Sequence, residues 1–124
     1  RGCPINKMQL VQLLSALLRE AKPIVPEYSV CVECKRRGVV CVAVAQGIAC
    51  LGPVTQAGCG VICPAYNREC YGCFGPKEQA NLVSLTEHYA ESGADRQHLV
   101  RAVRSFNGYA QQFREASDAL EAPK

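Results

Sequence analysis

The sequence Cys50-Leu-Gly-Pro-Val-Thr-Gln-Ala-Gly-Cys59 lies at the centre of residues 31–73, which hold eight of the nine cysteines of this 124-residue chain. Residues 31–76 also contain seven glycines and three prolines. Apolar residues follow no regular period there, except over residues 39–44, where a short run fits a helical turn or a strand. This segment therefore predicts an irregular, loop-rich structure organised by its cysteines.

Two Cys-x2-Cys pairs bracket four further cysteines. Two thiolates at this spacing converge on one centre from a single turn, which suits both zinc and iron–sulfur clusters. Eight thiolates are enough for two four-cysteine sites, although the spacing alone does not divide them into two sets. In chain order the eight are Cys31, Cys34, Cys41, Cys50, Cys59, Cys63, Cys70 and Cys73.

Disulfides and zinc are the alternatives to iron–sulfur clusters. An odd number of cysteines leaves one thiol unpaired, and the flanking helices lack cysteines, so a disulfide scaffold is disfavoured. Zinc ribbons use two Cys-x2-Cys pairs for one site and seldom leave four cysteines between them. Cys63-Pro64 places proline directly after a cysteine, as in ferredoxin runs, although the full ferredoxin spacing is absent. The pattern favours iron–sulfur clusters and leaves zinc open.

The segment before the cysteines predicts one amphipathic helix, from Asn6 to Ala21. Asn6 is suited to cap it, with Gln9 three residues later completing a capping box, and Pro23 and Pro26 follow its end. Its apolar stripe indicates a core or partner contact. The stripe consists of Leu10, Val11, Leu13, Leu14, Leu17 and Leu18.

The segment after the cysteines predicts three more helices. One runs from Glu78 to Glu91 and is closed by Ser92-Gly93. Asp95 caps the next, and Asn107-Gly108 separates it from a last helix through Phe113 to Leu120. Residues 121–124 are expected to fray. The apolar face expected on the middle helix consists of Leu99, Val100, Val103 and Phe106.

Together these features predict a small, irregular, cluster-stabilised iron–sulfur domain flanked by α-helices, mainly α plus coil. Aromatic residues are scarce, so metal ligation is expected to supply part of the folding free energy. Three regions follow: residues 1–26, a linker and helix that end a missing upstream domain; residues 27–76, a two-cluster domain; and residues 77–124, the C-terminal helices.

Charge and hydropathy exclude two classes of partner. The net charge of +3 does not count the thiolates, and Lys35-Arg36-Arg37 is the longest basic run, so nucleic acid is not indicated. No apolar run approaches the ~20 residues that cross a bilayer, so membrane insertion is not expected. The first motif, Arg1-Gly2-Cys3-Pro4, reads like the middle of a longer sequence.

Three stretches resemble the small subunit of [NiFe] hydrogenases, in the branch of cytoplasmic NAD(P)-linked hydrogenases and sulfhydrogenases. They are Cys50 to Cys59, Cys63-Pro64, and Cys70-Tyr-Gly-Cys73-Phe-Gly-Pro76. The resemblance runs from Arg1 to about Pro76. It departs from the family in one respect, because the family's N-terminal flavodoxin-like domain is not in this sequence.

This resemblance implies a linear relay of [4Fe–4S] clusters. Cys31, Cys34, Cys41 and Cys50 would hold a distal-type cluster, and Cys59, Cys63, Cys70 and Cys73 a medial-type cluster. Cys3 would be one ligand of a third, proximal-type cluster shared with the missing part; the alternative for Cys3 is a small buried thiol.

The resemblance also implies a function and partners. The chain would relay electrons between a NiFe-type large subunit and a flavin- or NAD(P)-binding subunit in the cytoplasm, with no catalytic residue of its own. Two alternatives remain: a zinc-stabilised interaction module, or the same relay in another oxidoreductase.

A few residues outside the cysteines invite comment. Tyr71 and Phe74 are expected to shield a cluster from water. His88 and His98 are expected to be surface residues, because the eight cysteines leave no ligand vacancy. The basic run that begins at Lys35 fits either a solvated turn or a contact with an acidic partner.

Overall fold

Six α-helices and connecting coil make up the part of the chain that the structure describes. The computed structural model describes residues 1–123. Within them the helices are α1 (Lys7–Leu18), α2 (Val30–Arg36), α3 (Val42–Gln46), α4 (Leu82–Glu91), α5 (Arg96–Asn107) and α6 (Gln111–Glu121), with a 3₁₀ turn at Pro64–Tyr66. The same residues contain isolated β-bridges but no strand, Ser29 pairing with Gln56 and Thr55 with Pro76. The prediction of a mainly α-plus-coil structure is confirmed.

Helix α1 begins where the sequence predicts, but two expectations about it are wrong. The Asn6 side chain accepts hydrogen bonds from the backbone N–H groups of Met8 and Gln9, as an N-cap should. Gln9 does not complete a capping box, because its side-chain amide donates instead to the Gly58 carbonyl at 2.5 Å. The helix also ends earlier than Ala21, since Glu20 adopts a left-handed conformation (φ 53°) ahead of both prolines.

The apolar stripe of α1 is exposed. Six leucine and valine side chains of the stripe are between 41% and 87% accessible, and Ala16 is the buried residue of this helix. A helix that is apolar on its exposed faces is typical of a surface that another protein segment covers.

Helices α4, α5 and α6 form a three-helix unit. Helix α6 packs against both α4 and α5. The core of the three-helix unit contains Leu82, Val103, Phe113 and Ala116, together with two residues of the cysteine-bearing segment, Leu51 and Val54. The apolar core thus continues from the helices into the loop after Cys50.

Side-chain caps set the starts of α4 and α5. Asp95 caps α5 by accepting from the N–H groups of Gln97 and His98, which confirms its predicted role. Helix α4 starts later than Glu78, because the Asn81 side chain accepts from Ser84 N–H and caps it there. Leu99 and Val103 of the predicted apolar face are buried, whereas Phe106 remains 45% exposed.

Two short helices lie inside the cysteine-rich region. Helix α2 carries Cys31 and Cys34 on one turn, and α3 follows Cys41. The apolar run over residues 39–44 therefore leads into a helix and not a strand. No helix in residues 1–123 is long and apolar enough to cross a membrane.

Candidate functional site

The structure gathers four cysteines around α2 and α3. Burial is the main cause that raises the pKa of Cys31, to about 11. The charges of the three neighbouring thiols contribute to this rise in pKa. We call this group the first set. Its members are Cys31, Cys34, Cys41 and Cys50.

Gly52 fixes how closely two members of the first set approach. A Cβ atom at this position would lie 3.3 Å from Sγ of Cys31, 3.4 Å from Sγ of Cys50 and 3.8 Å from Cβ of Cys70. Because glycine has no Cβ, the backbone passes directly beside the two sulfur atoms. The glycine of the Cys-Leu-Gly-Pro motif therefore has a packing role at the thiols.

A second group forms around the turns that follow Cys59 and Cys70. Burial and then the charges of Cys73, Cys59 and Cys3 raise the pKa of Cys63. We call Cys59, Cys63, Cys70 and Cys73 the second set, following the assignment that the family resemblance implies. Cys59, Cys63 and Cys73 influence one another, whereas the thiols that, after burial, raise the pKa of Cys70 are Cys50 and then Cys59.

The turn between Cys59 and Cys63 is strained. Val61 lies there in a left-handed conformation (φ 64°), which is rare for a β-branched residue, and its side chain is fully buried. Its backbone N–H donates to Sγ of Cys59 at 3.3 Å. The buried side chain and this hydrogen bond hold a turn that brings Cys59 and Cys63 to one place.

The two sets meet at Cys50 and Cys70, the buried thiols of the region. The backbone N–H of Cys70 donates to Sγ of Cys50 at 3.2 Å, and Leu51 N–H donates to the Cys70 carbonyl at 3.1 Å. Burial is the main cause that raises the pKa of Cys70, to about 12. The junction between the two sets is therefore buried in the interior of the site.

Two cysteines of the region are exposed. Cys41 of the first set is exposed, and so is Cys3, which lies beside the second set. Gly2 N–H donates to the Cys73 carbonyl at 3.3 Å, which holds Cys3 there. The alternative of a buried Cys3 thiol is wrong, because the residue is exposed.

Phe74 packs the second set. Its ring lies between two glycine backbones, since a Cβ at Gly2 would be 2.5 Å from the ring and one at Gly58 would be 2.8 Å from it. Phe74 is buried whereas Tyr71 is half-buried. Phe74 thus covers the segments that carry Cys3, Cys59 and Cys73. The position of its ring between the Gly2 and Gly58 backbones was not predicted from the sequence.

Glu33 is a charged residue that the sequence did not single out. Its Oε1 accepts the Gly58 N–H at 3.2 Å, and its Oε2 is buried without a hydrogen-bond partner within the described residues. The carboxylate therefore ties α2 to the residue before Cys59. No sequence pattern could reveal this, because the contact joins residues 25 positions apart.

The basic residues after Cys34 are exposed. Arg36 lies over the Tyr28 ring, 4.8 Å from its centroid, and donates to its hydroxyl. Arg37 donates to the Gly60 carbonyl. The exposed edge of the first set is therefore flanked by cations that the protein holds in place.

The histidines are surface residues, as predicted. His98 contacts Glu69 at 3.3 Å, and His88 lies beside Tyr89 at an exposed position of α4. Neither is placed among the thiols. Within residues 1–123, no group of three or more His, Cys, Asp or Glu side chains is arranged to hold a single metal ion.

The donor set suits iron–sulfur clusters. Eight thiols in two neighbouring groups are the ligands that four-iron clusters take, and backbone N–H groups already point at two of the sulfur atoms. The raised thiol pKa values mean that metal binding displaces protons from these groups.

Comparison with known proteins finds that the chain is similar to subunits of hydrogenases. It is 37% identical over 105 residues to the delta subunit of sulfhydrogenase 2 of Pyrococcus furiosus, covering 85% of this chain and 44% of that protein. It is 31% identical to a vhu subunit of the F420-non-reducing hydrogenase of Methanocaldococcus jannaschii, over an alignment that covers 76% of this chain and 40% of the relative. No family model matches.

A shorter match concerns the iron-sulfur subunit of the F420-non-reducing hydrogenase of Archaeoglobus profundus, which is 61% identical over 31 residues, or 25% of this chain. The chain spans less than half the length of the relatives described above. The similarity to hydrogenase subunits and the content of nine cysteines support the same interpretation. The chain is homologous to subunits of hydrogenases, and its cysteine content fits iron–sulfur clusters.

Proposed function

We propose that this chain is an electron-relay unit of a hydrogenase complex that holds two [4Fe–4S] clusters. Such clusters exchange single electrons without breaking a substrate bond. The first set would bind one cluster and the second set the other, with Cys3 contributing to a third that is completed by another part of the complex. The protein's own work is to bind the clusters, keep them adjacent and exclude water between them.

The observation that carries this proposal is the arrangement of the thiols. Cys50 and Cys70, where the sets meet, are buried, while Cys41 of the first set and Cys3 beside the second set are exposed. Electrons must enter and leave such a unit at exposed edges and pass between its sites through a region that excludes water. The arrangement meets both requirements.

The relatives' names support hydrogenase subunits as partners. The finer proposal, taken from the motif resemblance, is a NiFe-type large subunit on one side and a flavin- or NAD(P)-binding subunit on the other, in the cytoplasm. The exposed apolar stripe of α1 is a surface for a neighbouring part of the complex to cover. The exposed basic residues beside the first set are suited to a second contact.

Anaerobic iron, sulfide and zinc analysis of the purified chain tests the proposal. About eight irons and eight sulfides per chain, with an electron paramagnetic resonance (EPR) spectrum of two interacting reduced clusters, is the expected result. About two zincs without labile sulfide would instead identify a zinc-stabilised interaction module.

A further inference from the structure

The C-terminal three-helix unit touches both cysteine sets. Its apolar core contains Leu51, the residue directly after Cys50. The same core residue and Phe113 pack against Gly72, where a Cβ would lie 3.2 Å from the Phe113 ring and 3.3 Å from the Leu51 side chain. One helical unit therefore supports two loops that carry ligands of different sets.

Helix α4 holds the loop of the first set through Tyr89. The Tyr89 hydroxyl donates to the Cys50 carbonyl at 3.0 Å. This contact joins residues 39 positions apart, and the tyrosine is half-buried. The hydroxyl is thus directed at the backbone of a candidate ligand.

Helix α5 holds the loop of the second set through Asn107. The Asn107 side-chain amide donates to the Gly72 carbonyl at 2.5 Å in a buried position, and Asn107 is only 6% exposed. Gly72 lies between Cys70 and Cys73. The His98–Glu69 contact adds a third link, beside Cys70.

These links converge on the junction. Each protein contact falls within two residues of Cys50 or Cys70, the two buried thiols that meet there. The loops bond directly to each other through Cys70 N–H to Cys50 Sγ and Leu51 N–H to Cys70 O. The helical unit contacts both loops through Tyr89, Asn107 and His98.

We infer that the C-terminal helical unit fixes the position of one cysteine set relative to the other, with Tyr89 and Asn107 as positioning residues. The inference rests on the proposed cluster binding but assigns a role to helices that carry no ligand. Loss of the Tyr89 hydroxyl releases the Cys50 carbonyl, and loss of the Asn107 amide releases the Gly72 carbonyl. Each change loosens one loop while every thiol is retained.

The test compares Tyr89→Phe and Asn107→Ala with wild-type protein, using Tyr109→Phe as the matched control because Tyr109 is 78% exposed. Metal content is measured together with the EPR spectrum of the reduced protein and the midpoint potential of each cluster. We expect full iron and sulfide content and an altered cluster–cluster interaction in both variants. The midpoint potential should shift mainly in the first-set cluster for Tyr89→Phe and mainly in the second-set cluster for Asn107→Ala. The control should match wild type.

Failure of the proposed function and failure of this inference give different results. Wild-type protein without iron and sulfide overturns the proposed function, and this inference with it. Wild-type protein with both clusters, and variants whose spectra and potentials superimpose on it, overturn this inference alone. If Asn107→Ala loses its helical circular dichroism, Tyr89→Phe decides the outcome, because it keeps the aromatic ring and removes only the hydroxyl.

Discussion

The backbone N–H of Cys70 donates a hydrogen bond to Sγ of Cys50 at 3.2 Å, and this bond joins the two cysteine sets. Amide-to-sulfur hydrogen bonds stabilise the more negative state of a bound cluster and so influence its potential. Here the donor belongs to a ligand of one set and the acceptor to a ligand of the other. A change at either residue is therefore expected to affect both sites.

Gly52→Ala is expected to disturb the first set selectively. The added Cβ would lie 3.3–3.4 Å from the sulfur atoms of Cys31 and Cys50, in a buried position where overpacking costs about 1–3 kcal/mol. Iron analysis should show loss from the first set. Gly47→Ala is the control, because it faces backbone strain at φ 66° but has no neighbour within 4 Å. Gly52 does not lie in the left-handed region, so equal iron loss in both variants would point to general destabilisation and not to contact with the sulfur atoms.

Phe74→Ala is expected to destabilise the protein by about 3–5 kcal/mol, since it empties the space between the Gly2 and Gly58 backbones. Water would then reach the second set, and its cluster should be lost faster in air. Chemical denaturation and the decay of visible absorption measure the two effects. Phe106→Ala, at a 45% exposed position, should change stability by about 1 kcal/mol or less. A similar loss in that variant would contradict the special role of Phe74.

Glu33→Gln is expected to raise the midpoint potential of the nearest cluster by an amount on the order of tens of millivolts. The substitution removes a negative charge beside the thiols while its amide oxygen can still accept the Gly58 N–H. Glu33 is among the charges that, after burial and the neighbouring thiols, raise the pKa of Cys34. A redox titration measures the shift. The exposed Glu27→Gln provides the control, and an equal shift there would point to overall net charge.

Charged residues on α1 are expected to reduce self-association of the isolated chain. Leu14 and Leu17 are 51% and 58% exposed, so Leu14→Lys with Leu17→Glu removes apolar surface without emptying a core. Light scattering after gel filtration should show a smaller average mass at unchanged iron content. The buried Ala16→Glu should instead unfold or detach the helix. An unchanged mass distribution for the double variant would show that α1 does not drive association.

Local signals in the sequence predicted the helix starts well in two cases. Asn6 and Asp95 cap α1 and α5 because their short side chains reach N–H groups two and three residues ahead, a geometry that depends on neighbouring residues alone. Gln9 shows the limit of this reasoning. Its amide has a competing partner in Gly58, 49 residues away, which no local pattern contains.

The candidate site was predictable in its residue types but not in its geometry. Cysteine spacing indicated eight ligands, whereas their division into two sets came from a family resemblance. The structure adds that Cys50 and Cys70 are buried neighbours and that Tyr89 and Asn107 contact their loops. Those contacts join distant segments, and their positions follow from the packing of Leu51 into the helical core.

The most direct test of the central claim is the iron content of two paired variants beside wild type. If each set binds its own [4Fe–4S] cluster, wild type holds about eight irons, and Cys31→Ala with Cys34→Ala leaves about four, as does Cys59→Ala with Cys63→Ala. The remaining cluster should differ between the two variants in its EPR spectrum. Eight irons retained in either variant, or zinc in place of iron in wild type, would contradict the account.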